Sequence, residues 1–308
     1  MVFVLCFYSA GTTAAEALGY AKPTDDAQTL SVTVVQSEDG GAYAEFGNAL
    51  RAMLSGRGIA VAVIDAAKPI PNHGLVVGVG MKAASAVAAS GAPSVLNVLI
   101  PKSGHEKLLR DFPRRAASHA FSAIFLDQPV YRQAHLIAAV LPDKHKVGLL
   151  YSSPPEELVQ LRKKLAEHGL SLREQVVNAE FPLAEALQEV LHGSEMLLAL
   201  PDAAVYNSST IRNILLAAYR SDVPLIGFSS GYVRAGALCA VFSTPTQIAA
   251  QAAALIRQSG DARVLPVAQY PQEFEVMVNE QVVRSLGLQI KSASALHDEI
   301  NAEDGREP

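Results

Sequence analysis

Residues 147–177 read VGLLYSSPPEELVQLRKKLAEHGLSLREQVV. The apolar run 147–151 is a strand, and Ser152-Ser153-Pro154-Pro155 ends it, since proline has no N–H to give a ladder. From Glu156 to His168 the period changes. Leu158, Leu161 and Leu165 recur at three and four, with Arg162, Lys163 and Lys164 facing the other way, which is the pattern of an amphipathic helix. Gly169 suits a helix C-cap, and 172–177 resumes a strand. Strand, helix and strand in this order make a βαβ unit, which implies a parallel sheet covered on both faces.

The same alternation extends both ways. Upstream, strands are predicted at 30–35, 59–64, 75–79 and 94–100. Between them lie helices at about 43–54, 81–89 and 108–117. The first has Phe46, Leu50, Met53 and Leu54 on one face and is stopped by Gly56 and Gly58. A second set starts with a strand at 123–126 and a helix at 131–140. Beyond the quoted stretch come strands at 196–200 and 225–228 and helices near 183–191, 208–219 and 245–258. A lone strand at 274–278, a short helix at 280–286 and a polar, acidic end complete the chain. The reading is α/β, with two Rossmann-like lobes of similar size. One lobe is expected from 28–122 plus about 272–288, the last strand returning to it. The other is expected from 123–258, with a flexible tail over 291–308. Two open parallel sheets facing each other put ligand loops at the strand C-termini, in the cleft between them.

Bulk composition fits. The 308 residues divide into two domains of ordinary size, half are hydrophobic and 18% are charged, so the chain is globular. Net charge is −5, with no basic surplus to neutralise phosphates, which argues against a nucleic-acid partner. Mean hydropathy is +0.20, raised by alanine-rich helices, but past the N-terminus no apolar run has the roughly 18 to 20 residues of a membrane span. Residues 1–17, MVFVLCFYSAGTTAAEA, hold a short apolar run and Ala15-Glu16-Ala17, an A-x-A-like cleavage site. A basic stretch before the run is missing. They read as a signal peptide clipped at its start, against the alternative of a poorly ordered cytosolic tail. Cys6 is a weak lipid-anchor candidate, because Leu5 stands where a small residue belongs. With the leader gone, Cys239 alone remains and no internal disulfide can form.

Candidate chemistry is sparse. Gly227-Phe228-Ser229-Ser230-Gly231 fits the G-x-S-x-G elbow of hydrolases after a strand, but the histidine such a serine needs downstream is limited to His297, in the polar tail. Gly78-Val79-Gly80 follows a strand as a dinucleotide fingerprint would, yet Met81 and Lys82 crowd the turn and no acid lies about twenty positions on. The eight histidines are scattered without metal-ligand spacing. No catalytic residue, metal or cofactor is expected. Glu38, Asp39, Asp127 and Asp202 each follow a strand, and are read as charge partners or acceptors for a ligand rather than as an acid–base pair.

Three phrases of the second half carry a family resemblance. They are Pro142-Asp143-Lys144-His145-Lys146-Val147-Gly148-Leu149-Leu150-Tyr151; Leu200-Pro201-Asp202 with Asn207-Ser208-Ser209-Thr210-Ile211; and Val223-Pro224-Leu225-Ile226-Gly227-Phe228-Ser229 with Gly231-Tyr232-Val233-Arg234-Ala235-Gly236-Ala237-Leu238. In order, they resemble the ABC-transporter substrate-binding family that includes tryptophan- and tyrosine-binding-type lipoproteins. Val35-Gln36-Ser37-Glu38 and Gly78-Val79-Gly80 take the places of its first and third strand ends. The likeness covers about 30–288. It implies a type I-like periplasmic-binding fold, a small-molecule ligand, a membrane permease as partner and a periplasmic location; a monomer is expected. Where the family has a threonine after the third strand, this chain has Gly80-Met81-Lys82, so amino-acid specificity does not carry over. Lys82 at a helix N-terminus would favour an anion, or simply face solvent. Ligand contacts are expected from Ser37, Glu38, Gly80, Met81, Lys82 and Ser103 of the first lobe. In the second they are expected from Asp127, Gln128, Tyr151, Ser152, Asp202, Asn207, Ser229 and Ser230, with Tyr151 or Tyr206 stacking on a planar ligand. The alternatives are a periplasmic sensor that partners a kinase, and a two-lobed, glycosyltransferase-like enzyme.

Overall fold

A computed structural model describes residues 31–56, 58–117, 120–259 and 264–304. The segment read as a leader, Cys6 included, lies outside the described residues. The first lobe runs β1 (Ser31–Gln36), α1 (Gly41–Ser55), β2 (Ala60–Asp65), β3 (Leu75–Val79), α2 (Met81–Ala89), β4 (Ser94–Ile100), α3 (Lys102–Asp111), α4 (Pro113–Ala116) and β5 (Phe121–Phe125). Its five strands are parallel in the order β2-β1-β3-β4-β5. The second lobe continues with α5 (Val130–Val140), β6 (Lys146–Tyr151), α6 (Leu158–Glu167), β7 (Ser171–Val176), α7 (Leu183–His192), β8 (Met196–Leu198), α8 (Ile211–Arg220), β9 (Leu225–Gly227), α9 (Ser230–Ala235) and β10 (Cys239–Phe242). Then come α10 (Pro245–Gln258), β11 (Glu275–Val278), α11 (Glu280–Ser285) and α12 (Ala293–Asp304). Its six-stranded sheet is ordered β11-β10-β9-β8-β6-β7.

Strands β3 and β4, and β5 at the sheet's edge, are buried along their whole length, as expected for a parallel sheet covered on both faces. Phe46, Leu50 and Leu54 of α1 are fully buried on the sheet, and each such side chain contributes about 1.5–3 kcal/mol. In α6, Leu161 and Leu165 are the buried pair.

Four features differ from the sequence reading. The last strand does not return to the first sheet: β11 pairs antiparallel with β10, because Phe274, Val276 and Val278 pack into the second lobe's core. The strand at 123–126 falls in the first sheet as part of β5, while α10 leaves the second lobe. Ile248, Ala249, Ala252, Ala253 and Ile256 join the core beneath α1. The returning chain then joins the edge of β5: the Phe125 amide donates to Gln269 O at 3.0 Å, and the Gln269 amide donates to Ala123 O at 2.9 Å. The expected tail is helical over α12, since Leu296 and Ile300, four apart, bury against the second core.

The chain thus passes between lobes three times, at 126–129, 243–244 and 270–274. Arg132, 3% exposed, gathers these passages. Its guanidinium donates to Gln128 Oε1 (2.9 Å) and to the carbonyls of Pro271 and Gln272 (2.9 Å each), and it forms a two-pronged ion pair with Asp304 at 2.8 and 2.6 Å. Gln128 Nε2 in turn donates to Ser243 Oγ at 2.8 Å. The guanidinium also lies 4.5 Å from the Phe274 ring centroid.

Candidate ligand-binding site

The C-terminal ends of β3, β4 and β5 face those of β6 and β8 across the cleft. Between them lies a cavity of 270 Å³, at the small end for ligand sites. Met81, Pro101, Ser103 and Gly104 line it from the first lobe. Asp127, Gln128, Val130 and Gln133 line it from the first crossover and α5. The second lobe contributes Tyr151, Ser152, Ser153, Pro155, Glu157, Leu161 and 200–204, and Tyr270 comes from the return crossing.

A backbone irregularity aims the first-lobe wall. Leu99 has φ 52°, and the β4–β5 register shifts between Val98 and Ile100. A left-handed leucine costs about 1–2 kcal/mol, held here by the surrounding sheet. Beyond it, the Lys102 amide at the start of α3 donates to Asp127 Oδ2 at 2.7 Å. Burial pushes the Asp127 carboxyl up to about 7, against the opposing pull of the backbone amides. Gly104 must lack a side chain, since a Cβ would lie 2.5 Å from Met81 Sδ.

The opposite wall is set by Asp202. Its Oδ2 accepts from the Ser152 amide (2.6 Å) and hydroxyl (2.8 Å), and its Oδ1 from the Ala204 amide (3.0 Å). It therefore fastens two loops together rather than waiting for a ligand ammonium. The Tyr151 hydroxyl donates to Glu174 at 3.2 Å, which fixes its ring as a wall.

Polar contacts bridge the cleft. Lys102 of α3 pairs with Glu106 on its own helix (2.9 Å) and with Glu156 (3.4 Å) and Glu157 of the second lobe. Burial alone would lower the lysine's pKa, but its carboxylate partners raise it above its ordinary value. Tyr270 donates to Glu157 Oε1 at 2.6 Å and packs edge-on against Phe125 at 5.4 Å.

Of the expected ligand residues, Met81, Ser103, Asp127, Gln128, Tyr151, Ser152 and Asp202 meet at this cavity. The others do not line it. Ser37 is buried; its hydroxyl donates to Val79 O (2.8 Å) and accepts from the Ala83 amide (3.0 Å), capping α2 from outside. Gly80 has φ 82°, and a Cβ there would lie 2.7 Å from Ser37 Oγ. Glu38 and Lys82 are exposed. Asn207 accepts from the Ser209 and Thr210 amides, shaping the loop before α8. Ser229 caps α9, and Ser230 accepts from Arg234 at 3.0 Å. Tyr206 is buried among Phe228 and Tyr232. His297, which a hydrolase would need, stacks on Phe274 with centroids 4.8 Å apart.

Gln133, Glu157 and Tyr270 were missed. Val130 and Gln133, three apart on α5, and the doublet Glu156-Glu157 after the proline turn are patterns a reader can find. Tyr270 has no local signal, since it reaches the cavity through the return crossing. Among the described residues no His, Cys, Asp and Glu group has metal-site geometry, and no helix is long and apolar enough to cross a membrane. Cys239 is buried, with its thiol pushed up by burial.

The profile of ABC transporter substrate binding proteins matches residues 122–297. The chain belongs to that family. It is the ligand-capturing component of an ABC transport system. No curated protein sequence matches it significantly. Solved structures agree on the fold. A conserved domain protein from Vibrio cholerae is 20% identical with TM-score 0.62, over 88% of this chain and 98% of that one. The ABC domain of a Streptococcus pneumoniae protein in complex with L-Trp is 17% identical with TM-score 0.63, over 87% and 98%. A ligand-free, open substrate-binding protein with adhesive properties from Clostridium difficile is 16% identical with TM-score 0.60, over 85% and 96%. These three structures share this chain's fold.

Proposed function

We propose that this substrate-binding protein takes its solute into the 270 Å³ cavity by hinge closure, outside the cytoplasm, and presents it to a membrane permease without chemical change. The observation that carries the reading is the placement of strand-end loops from both lobes around one cavity. A ligand touching both walls stabilises the closed arrangement by its higher affinity for it. The acids are engaged by backbone amides, the Ser152 hydroxyl, the Tyr270 hydroxyl and a lysine, and groups so engaged suit binding rather than turnover.

The test is thermal melting of the purified protein against amino acids, nucleobases, sugars, organic acids and nitrogen heterocycles. A ligand of the folded state at a hundred times its Kd adds about 2.7 kcal/mol, a rise of a few degrees at this size. The expected result is a shift with one chemical class, abolished by Tyr151→Ala. Turnover of the bound compound would overturn the reading.

A further inference from the structure

The cavity's charge is one-sided. Among its described lining residues, Asp127, Glu157 and Asp202 are acidic and none is Lys or Arg. The nearby cation, Lys102, is turned to Glu106, Glu156 and Glu157. An amino acid or organic acid entering here would bring a carboxylate with no counter-charge waiting, at a site where burial makes that costly.

Two of the acids are already engaged, Asp202 by three donors and Glu157 by Lys102 and Tyr270. Asp127 accepts backbone amides and forms no ion pair. Beside it on the cavity wall is Gln133, 6% exposed, whose Oε1 has no hydrogen-bond partner and whose Nε2 has a long contact of 3.5 Å to Gln128 O. A buried amide oxygen without a donor costs about 1–3 kcal/mol, which a ligand N–H would recover. Apolar groups make up much of the remaining wall, Val130, Leu161, Leu200 and the rings of Tyr151 and Tyr270, beside the polar Ser103, Gln128, Ser152 and Ser153.

We propose that the solute is a small organic cation, with a flat, largely apolar body, at least two N–H donors and no carboxylate, held by Asp127 and Gln133. This rests on the capture reading above. Lys102, Glu157 and Tyr270 face Asp127 and remain paired with one another, so Asp127 is the group left for the ligand's charge. Because the Asp127 carboxyl is held near 7, binding of the cation drives the proton off Asp127 into solvent, and binding strengthens from pH 6 to pH 8 by about tenfold or less.

The experiment is calorimetry and thermal melting of the whole protein with four probes of one ring: benzamidine, benzamide, benzoate and L-phenylalanine, each up to about 10 mM. The expected result is a benzamidine shift that exceeds those of the other three. Its Kd weakens about tenfold or more in both Asp127→Asn and Gln133→Leu, while the ligand-free melting temperature of at least one variant stays near wild type. Stronger binding of benzoate or L-phenylalanine, or benzamidine binding unchanged in both variants, overturns the proposal. No benzamidine shift overturns it too. The wider screen then separates the two readings: another class binding, and lost in Tyr151→Ala, leaves capture standing and removes the cation; no binding of any class removes capture itself.

Discussion

Tyr270 Oη donates to Glu157 Oε1 at 2.6 Å, so a residue tied to the first sheet holds a carboxylate of the second lobe across the cleft. A hydrogen bond to a charged group is worth about 1.5–3 kcal/mol, and this one joins the two sides of the cleft. Tyr270→Phe is expected to loosen closure: a larger radius of gyration without ligand by small-angle scattering, and solute affinity down roughly tenfold. An unchanged scattering profile and affinity would mean that the contact does not set closure.

Arg132 is a stability centre rather than a ligand group. Arg132→Met strands the carbonyls of Pro271 and Gln272 together with Asp304. Breaking such a buried pair costs about 3–5 kcal/mol. Urea unfolding is expected to show this loss, and a smaller one for Asp304→Asn.

The pH dependence of stability has two opposed parts. The folded Asp127 carboxyl titrates near 7, above its unfolded range, so its contribution is present at low pH and lost as pH rises from about 4 to 7. His105, buried against Phe121, is lowered to about 4 by burial. It acts the other way, costing stability as pH falls from about 6.5 to 4. The two slopes cancel between pH 4 and 6.5 in the wild type. Asp127→Asn should remove the opposing carboxyl slope, so that melting temperature rises with pH over that window more steeply than in the wild type. A flat profile in the variant would refute the assignment.

Ser37 and Gly80 separate structural from ligand roles. Ser37→Ala removes two buried hydrogen bonds and is expected to cost about 1–3 kcal/mol with solute affinity unchanged. Gly80→Ala forces a side chain onto Ser37 and Tyr43 at positive φ and should cost more. A large affinity loss in Ser37→Ala with normal melting would return that residue to the binding site.

What could be read from residues alone follows from where the physics is local. The βαβ units were legible because Leu158, Leu161 and Leu165, or the buried run of β3, encode period and burial within a few residues. Half of the expected ligand residues lie on the cavity because parallel strands end there. Ser37, Gly80 and Asn207 sit at the same kind of strand end yet serve their own loops, since a short polar side chain there suits a backbone amide as well as a ligand. The partner of β11 was not legible: alternation marks a strand and is silent about its neighbour. Nor was α12, whose two apolar residues are too few to stand out without the core they cover.

The placement of α10 bears on the order in which the molecule assembles. Ile248, Ala252 and Ile256 complete the core under α1, although some two hundred residues of chain separate them. The lobe that begins the sequence is therefore closed by a segment made near its end, and its non-local contacts carry a high loop-closure cost. Until α10 arrives, the part of this core that it fills stays open, and a nascent chain at that stage exposes apolar surface. The half that reads first in the sequence is the half that is completed last.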